Sequence, residues 1–350
     1  MGPRMLRLSV RATCCFILLC LLGSCRSEPH PSGEKATASY PSIGSIERFL
    51  PDMDDIVDST AAIEVLGDGF VWAEGPLWVA SDSLLLFTDV PQNKVFAWQA
   101  STGVRLWLTP SGYTGTGTAG DEPGANGLAL LPSGELALCQ HGDRRVAVLQ
   151  APLSAPVPVY RTLADQFQGE RFNSPNDLCF DRQGNCYFTD PPYGLPGKME
   201  DPDKQLPFQG VFRIDTAGQV TLLADTLTRP NGIALSPDGN TLYVANSDPE
   251  NACWHAYDVA PDGTLRNGRI FHDATDQVGD RWKGLPDGLK VDAEGRIFAT
   301  GPGGVWVFRP DGTPIGRFLT GVATANCALD TAGHTLYVTA HQYLCRVRLR

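Results

Sequence analysis

Apolar and polar positions along this 350-residue chain repeat one short pattern six times. Each copy opens on Glu, Asn or Asp, often followed by Gly. Alternating apolar residues come next, then a turn with Gly, Asp or Ser, then a second apolar run. The copies begin at Glu74 (EGPLWVASDSLLLFTDV), Asn126 (NGLALLPSGELALCQHG), Asn176 (NDLCFDRQGNCYFTDPP), Asn231 (NGIALSPDGNTLYVANS), Asp287 (DGLKVDAEGRIFATGPG) and Asn326 (NCALDTAGHTLYVTAHQ). Their starts lie 52, 50, 55, 56 and 39 residues apart. Alternation with a period of two buries one face of a strand, and SPDG, DAEG or DRQG supplies a tight turn, so each copy is predicted as a hairpin. Stretches between the copies add further strand pairs, such as 94–98 with 105–108 and 210–214 with 220–223. Four strands in a repeat of about 50 residues is the blade of a β-propeller.

Six repeats predict an all-β, six-bladed propeller over residues 46–350. Length alone would suggest two domains, and the repeats overrule it. Residues 61–71 are expected to add a strand to the last blade and close the circle, because an open propeller exposes strand edges. Glycine (37) and proline (27) together reach about 18% of the chain, the punctuation of short strands and turns. With 42% hydrophobic and 19% charged residues, the chain is not disordered, a coiled coil or collagen-like.

The N-terminus reads as an address. Arg4, Arg7 and Arg11 precede the apolar run CCFILLCLL and then Gly23-Ser24-Cys25, the layout of a secretory signal over 1–24. The run is too short for a confident bilayer span. Leu22-Gly23-Ser24-Cys25 resembles a bacterial lipobox, which makes Cys25 the expected lipidation site and the protein an exported lipoprotein facing the periplasm. A plain cleaved signal is the alternative. Residues 25–45, rich in Ser, Pro, Gly and charge, read as a flexible tether. The formal net charge is −11, and beyond the signal 25 basic residues face 39 acidic ones. Such a surface repels phosphate backbones and excludes a nucleic-acid partner.

Inner strands of a propeller line a central channel, so equivalent positions in successive blades point at one place. The first residue of each repeat is such a position, and Glu74, Asn126, Asn176, Asn231, Asp287 and Asn326 all bear oxygen. Asn or Asp before Gly is also an ordinary turn former, but Glu74 is a poor one. A ring of hard oxygen donors with two carboxylates and no sulfur suits one divalent cation. Calcium is expected first, with Mg²⁺, Mn²⁺ and Zn²⁺ open. Burying Glu74 beside Asp287 without a cation would be costly. Six cysteines follow Cys25. None has zinc-ligand spacing; Cys179 and Cys186 could pair across a hairpin or be buried small hydrophobes.

The segments AEGPLW, RFNSPNDL, FTDPPYG, RPNGIALSPDGNTLYVA and PDGLKVDAEG resemble the regucalcin/gluconolactonase family, and its bacterial gluconolactonase branch most of all. The resemblance covers about residues 60–350 and implies a six-bladed propeller with a central metal site that hydrolyses sugar lactones. It implies metal ligands at Glu74, Asn231 and Asp287. Asn176 matches a position that ligates metal in some relatives and contacts substrate in others. Arg171 matches a substrate-contacting arginine, at a longer spacing from Asn176 than in the animal members.

In such a site Asp287 is the candidate base, a carboxylate able to touch both cation and water. Asn126 is expected to face the substrate. His141 follows the second strand of its blade and could bind a sugar hydroxyl or move a proton, or could instead structure a loop with Asp143. Tyr193 and Trp282 could wall a sugar pocket, or pack surface loops. Asp89, Asp190 and Asn246 share one position in the repeat and read as ties between loops. GxSxG, HExxH and phosphate-cradle motifs are missing. Two further functions remain open: an esterase or phosphotriesterase on the same cation, and a propeller that binds carbohydrate or calcium without turnover.

Overall fold

The computed structural model describes residues 40–117 and 119–350. The signal segment, Cys25 and the tether up to residue 39 lie outside the described residues. Within the described body, six antiparallel sheets follow one another, one per repeat. From inner to outer strand, blade 1 runs Ala73–Val79, Leu84–Asp89, Lys94–Gln99 and Gly103–Leu108. Blade 2 runs Ala125–Leu130, Leu136–Gln140, Arg145–Leu149 and Tyr160–Ala164; blade 3 runs Leu178–Phe180, Cys186–Asp190, Gly210–Ile214 and Val220–Ala224. Blade 4 comprises Pro230–Leu235, Thr241–Asp248, Asn251–Val259 and Leu265–Asp273; blade 5 comprises Leu289–Val291, Ile297–Gly301, Gly304–Phe308 and Pro314–Leu319. Blade 6 takes Asn326–Leu329, Thr335–Ala340 and Tyr343–Arg348 from the end of the chain. Its fourth strand, Ile63–Gly67, comes from the beginning and pairs with Tyr343–Arg348, closing the ring within the stretch that the sequence marks for it.

The second strand of each blade is buried on both faces, because it lies between the neighbouring sheets. All six residues of Leu84–Asp89 and all five of Cys186–Asp190 are buried. The core is accordingly divided into interblade layers. Leu86, Val95, Leu128 and Leu138 fill one between blades 1 and 2, and Cys139, Phe188 and Phe212 fill the next. Between blades 5 and 6, Phe298, Phe318 and Val338 pack with Met53 and Ile56 of a one-turn helix, Met53–Ile56.

One expectation changes, and one open alternative is decided. Residues 42–45 belong to the body: Ser42–Ile43 pairs with Ile63–Gly67, and Ser45–Arg48 forms a fifth strand on blade 5. Strands of two and four residues are too short for alternation to stand out from a Ser-, Pro- and Gly-rich background. Cys179 and Cys186 form no disulfide; all six cysteines of the body are free, and all but Cys179 are buried. The strand register pairs Cys179 with Tyr187 and Cys186 with Phe180, so the thiols are not opposite each other.

Glycine after the channel residue serves contact between blades. A Cβ on Gly127 would crowd Asn176 and Asp177, and one on Gly232 would overlap the Asp287 carbonyl. Gly127 N donates to Asn176 O at 2.7 Å and Gly288 N to Ala325 O at 2.8 Å. The Asn-Gly and Asp-Gly steps are places where inner strands touch, not turns.

Candidate active site at the channel mouth

Two channel residues are held by the preceding blade as well as by their own. Thr88 Oγ1 of blade 1 donates to Asn126 O at 3.1 Å, and Thr189 Oγ1 of blade 3 donates to Asn231 O at 2.6 Å. Second-strand residues also grip the loops that deliver the channel residues. Asp89 accepts from Val71 N and Trp72 N ahead of Glu74. Asp190 accepts from Asn173 N and Ser174 N ahead of Asn176, both at 2.8 Å, and Asn246 Oδ1 accepts from Arg229 N ahead of Asn231. Asn231 Nδ2 donates to Ser247 Oγ at 3.0 Å, and Ser247 in turn donates to Pro286 O, one residue before Asp287. Side-chain positions are therefore set by backbone anchors in rigid sheets, which is what a preorganised site needs.

These anchors bring Glu74, Asn126, Asn176, Asn231 and Asp287 into one cavity of about 500 Å³, a size suited to a small molecule. Tyr193 and Trp282 line it as well, with Trp72, Val278 and Leu285 supplying apolar wall. Asn326 does not line it. Its Oδ1 accepts from Cys327 N at 2.8 Å and lies 3.4 Å from Lys290 Nζ. Lys290 Nζ is also 3.8 Å from Asp177 Oδ2, and Asn326 Nδ2 reaches the same oxygen at 3.5 Å. An ammonium, a carboxylate and a carboxamide thus occupy the channel beneath the cavity floor.

Electrostatics at the floor are those of a site built for positive charge. Burial, with Asp177 nearby, pushes Glu74 up to about 7 despite the hydrogen bond that Gly75 N donates to its Oε2 at 2.9 Å. Burial drives Asp287 well above the usual carboxylate range, and Glu74, Asp177 and Glu122 add to the effect. Three sealed oxygens have no hydrogen-bond partner: Asn126 Oδ1, Asn176 Oδ1 and Asp287 Oδ1. Unpaired buried acceptors are expensive, and three of them lining one cavity with a fourth oxygen-bearing residue, Glu74, fit a hard cation well. Among the described residues no three His, Cys, Asp or Glu side chains cluster for a metal. The donor set that fits is two carboxylates with carboxamides.

Residues 72–342 match the SMP-30/Gluconolactonase/LRE-like region. The chain belongs to that family. It is 38% identical to the gluconolactonase of Zymomonas mobilis over 314 residues, covering 88% of this chain and 87% of the relative. A gluconolactonase structure from Xanthomonas campestris superposes with a TM-score of 0.75 at 28% identity, covering 90% of this chain and 99% of that one. The calcium-binding protein regucalcin from Agrobacterium tumefaciens shares the fold, with a TM-score of 0.63, 17% identity and coverage of 81% and 93%.

In this SMP-30/gluconolactonase family member, two expected substrate residues stand apart from the cavity. Arg171 sits on an exposed two-residue strand, Glu170–Arg171, and its Nη2 donates to Asp143 O at 2.9 Å. His141 is fully buried behind the wall, with Nδ1 3.7 Å from Glu122 Oε2 and neither ring nitrogen hydrogen-bonded. Burial pulls its imidazole down to about 3, so it is neutral. Two charged residues that repeat register does not single out, Glu122 and Arg229, line the cavity instead. Both sit on loops that lead into inner strands, where spacing varies between blades. Arg229 carried a readable signal, two residues before Asn231 in RPNG.

Proposed function

We propose that the chain hydrolyses the ring ester of sugar lactones of the gluconolactone kind. The reaction site is the cavity floor, where Glu74, Asn176, Asn231 and Asp287 would hold one divalent cation, calcium by preference. Family membership and 38% identity to a gluconolactonase make it a lactonase. The observation that carries the finer reading is the convergence of unpartnered, buried oxygens on the floor. A bound cation would neutralise the two acids and polarise the ester carbonyl as a Lewis acid.

The chain's own groups supply the rest. Tyr193 and Trp282 flank the ring, and the apolar wall excludes bulk water. The Asp287 carboxylate, able to touch both cation and water, takes the proton that water loses as its oxygen bonds to the carbonyl carbon. When the C–O bond of the ring breaks, that proton passes to the departing oxygen, and a hydroxy acid leaves. Ser247, tying Asn231 to Pro286, keeps the base aligned with the next blade. The export signal and a lipid on Cys25 belong to the same proposal and would place the reaction in the periplasm.

Asp287→Asn keeps shape and removes the base. Acid release from δ-gluconolactone should fall by about 10²–10⁴-fold, with an unchanged circular-dichroism spectrum. A folded variant with near-normal turnover would exclude Asp287 as the base.

A further inference from the structure

We propose that Glu122 accepts hydrogen bonds from the ring hydroxyls of the substrate and thereby selects polyhydroxylated lactones over bare rings. The inference rests on the lactone reading above and names the feature that would distinguish a sugar lactone there. Tryptophan and tyrosine faces stack on a sugar or on an unsubstituted ring alike. Discrimination requires polar groups that match hydroxyls, because a site built to pair with a hydroxyl pays heavily when it is missing.

Two charged side chains line the cavity outside the floor, Arg229 and Glu122. A guanidinium only donates, whereas a carboxylate offers two acceptor oxygens, the complement of a vicinal diol. Glu122 is held but not saturated. Its Oε1 lies 3.6 Å from Lys198 Nζ and its Oε2 lies 3.7 Å from His141 Nδ1, both beyond hydrogen-bond length. The Lys198 ammonium lies on one side of the carboxylate and the buried imidazole on the other, and no hydrogen bond to either takes up its lone pairs.

The backbone behind it is anchored at both ends. Asn93 Oδ1 accepts from Ser111 N, Gly112 N and Tyr113 N, where the loop leaves blade 1. Gly124 N donates to Val90 O at 2.9 Å, two residues after Glu122. The acceptor is thus presented at a fixed place, four residues ahead of Asn126.

The test compares δ-gluconolactone with δ-valerolactone, the same ring without hydroxyls, in wild type and Glu122→Gln. Preference for the sugar lactone, as the ratio of kcat/KM values, should fall at least tenfold, chiefly through KM for gluconolactone. Glu122→Asp should recover part of it. A ratio unchanged within twofold would overturn the proposal, since a merely structural role would depress both substrates alike. Glu122→Ala serves as a second variant if the first is unstable. Failure of the lactone reading would show separately, as wild type opening neither ring. Calorimetry with the unreactive gluconolactam then decides Glu122: tenfold weaker binding by Glu122→Gln supports the role. Equal binding by both proteins, or no binding by wild type, overturns it.

Discussion

Glu74→Gln separates the electrostatic claim from the catalytic one. In the cation-free protein the Glu74 carboxyl is pushed from 4.5 to about 7, chiefly by burial. At 1.36 kcal/mol per pH unit, keeping it ionised in the fold costs about 3 kcal/mol. The folded state holds the proton more tightly than the unfolded chain. The cost is therefore absent below pH 4.5, grows as pH rises and is complete above about 7. Glutamine removes it. In EDTA at pH 8 the variant should melt higher than wild type, by roughly 5 °C for a body of this size, and at pH 4.5 the two should coincide. Added Ca²⁺ should reverse the order, because wild type gains from cation binding and the variant largely does not. Thermal melts at pH 4.5, 6 and 8, with EDTA and with CaCl2, read all of this, and lactone turnover by the variant should be lost in parallel. A variant no more stable than wild type in EDTA at pH 8, or one that Ca²⁺ stabilises equally, would refute the view that the floor is built around a cation.

Other parts of the structure predict further outcomes. Lys290→Met leaves the buried Asp177 with no cation beside it, only Leu178 N and Asn326 Nδ2 as donors; stability should drop by about 1–3 kcal/mol, and a wild-type melt would deny the ammonium its role beneath the floor. Arg317→Lys should cost about 2 kcal/mol and raise KM several-fold. The guanidinium donates to Glu47 Oε2 at 2.7 and 3.0 Å and to Pro302 O at 2.9 Å, and lies 4.3 Å from the centre of the Trp282 ring that walls the cavity. An unchanged KM in that variant would show that Trp282 needs no such backing.

What could be read from the chain follows from where repetition holds. Glu74, Asn126, Asn176, Asn231 and Asp287 recur at one point in each repeat and meet in one cavity, because rotation converts equal sequence position into equal place. Asn326 shares the position, yet its side chain lies against Lys290 and Asp177 instead of lining the cavity. Asp177 was half-visible: it stands where Glu74, Asn126, Asn231 and Asp287 are each followed by glycine. Its carboxylate therefore stands where those four blades carry no side chain. Glu122 and Arg229 escaped because they sit on connecting loops, whose lengths follow local packing rather than symmetry. Arg171 lies close to Asn176 in sequence, but a surface hairpin carries its side chain outward.

The short segment of Ser42–Ile43 and Ser45–Arg48 has a mechanical consequence. It crosses from the last blade to its neighbour, with Gly44 between the two pairings. Tension or a protease acting on the N-terminal side meets this stitch first, and the hoop cannot spring open until both pairings have been peeled away. Glu47, on the same stitch, grips Arg317 behind Trp282. Undoing the seam therefore slackens the substrate chamber in the same event.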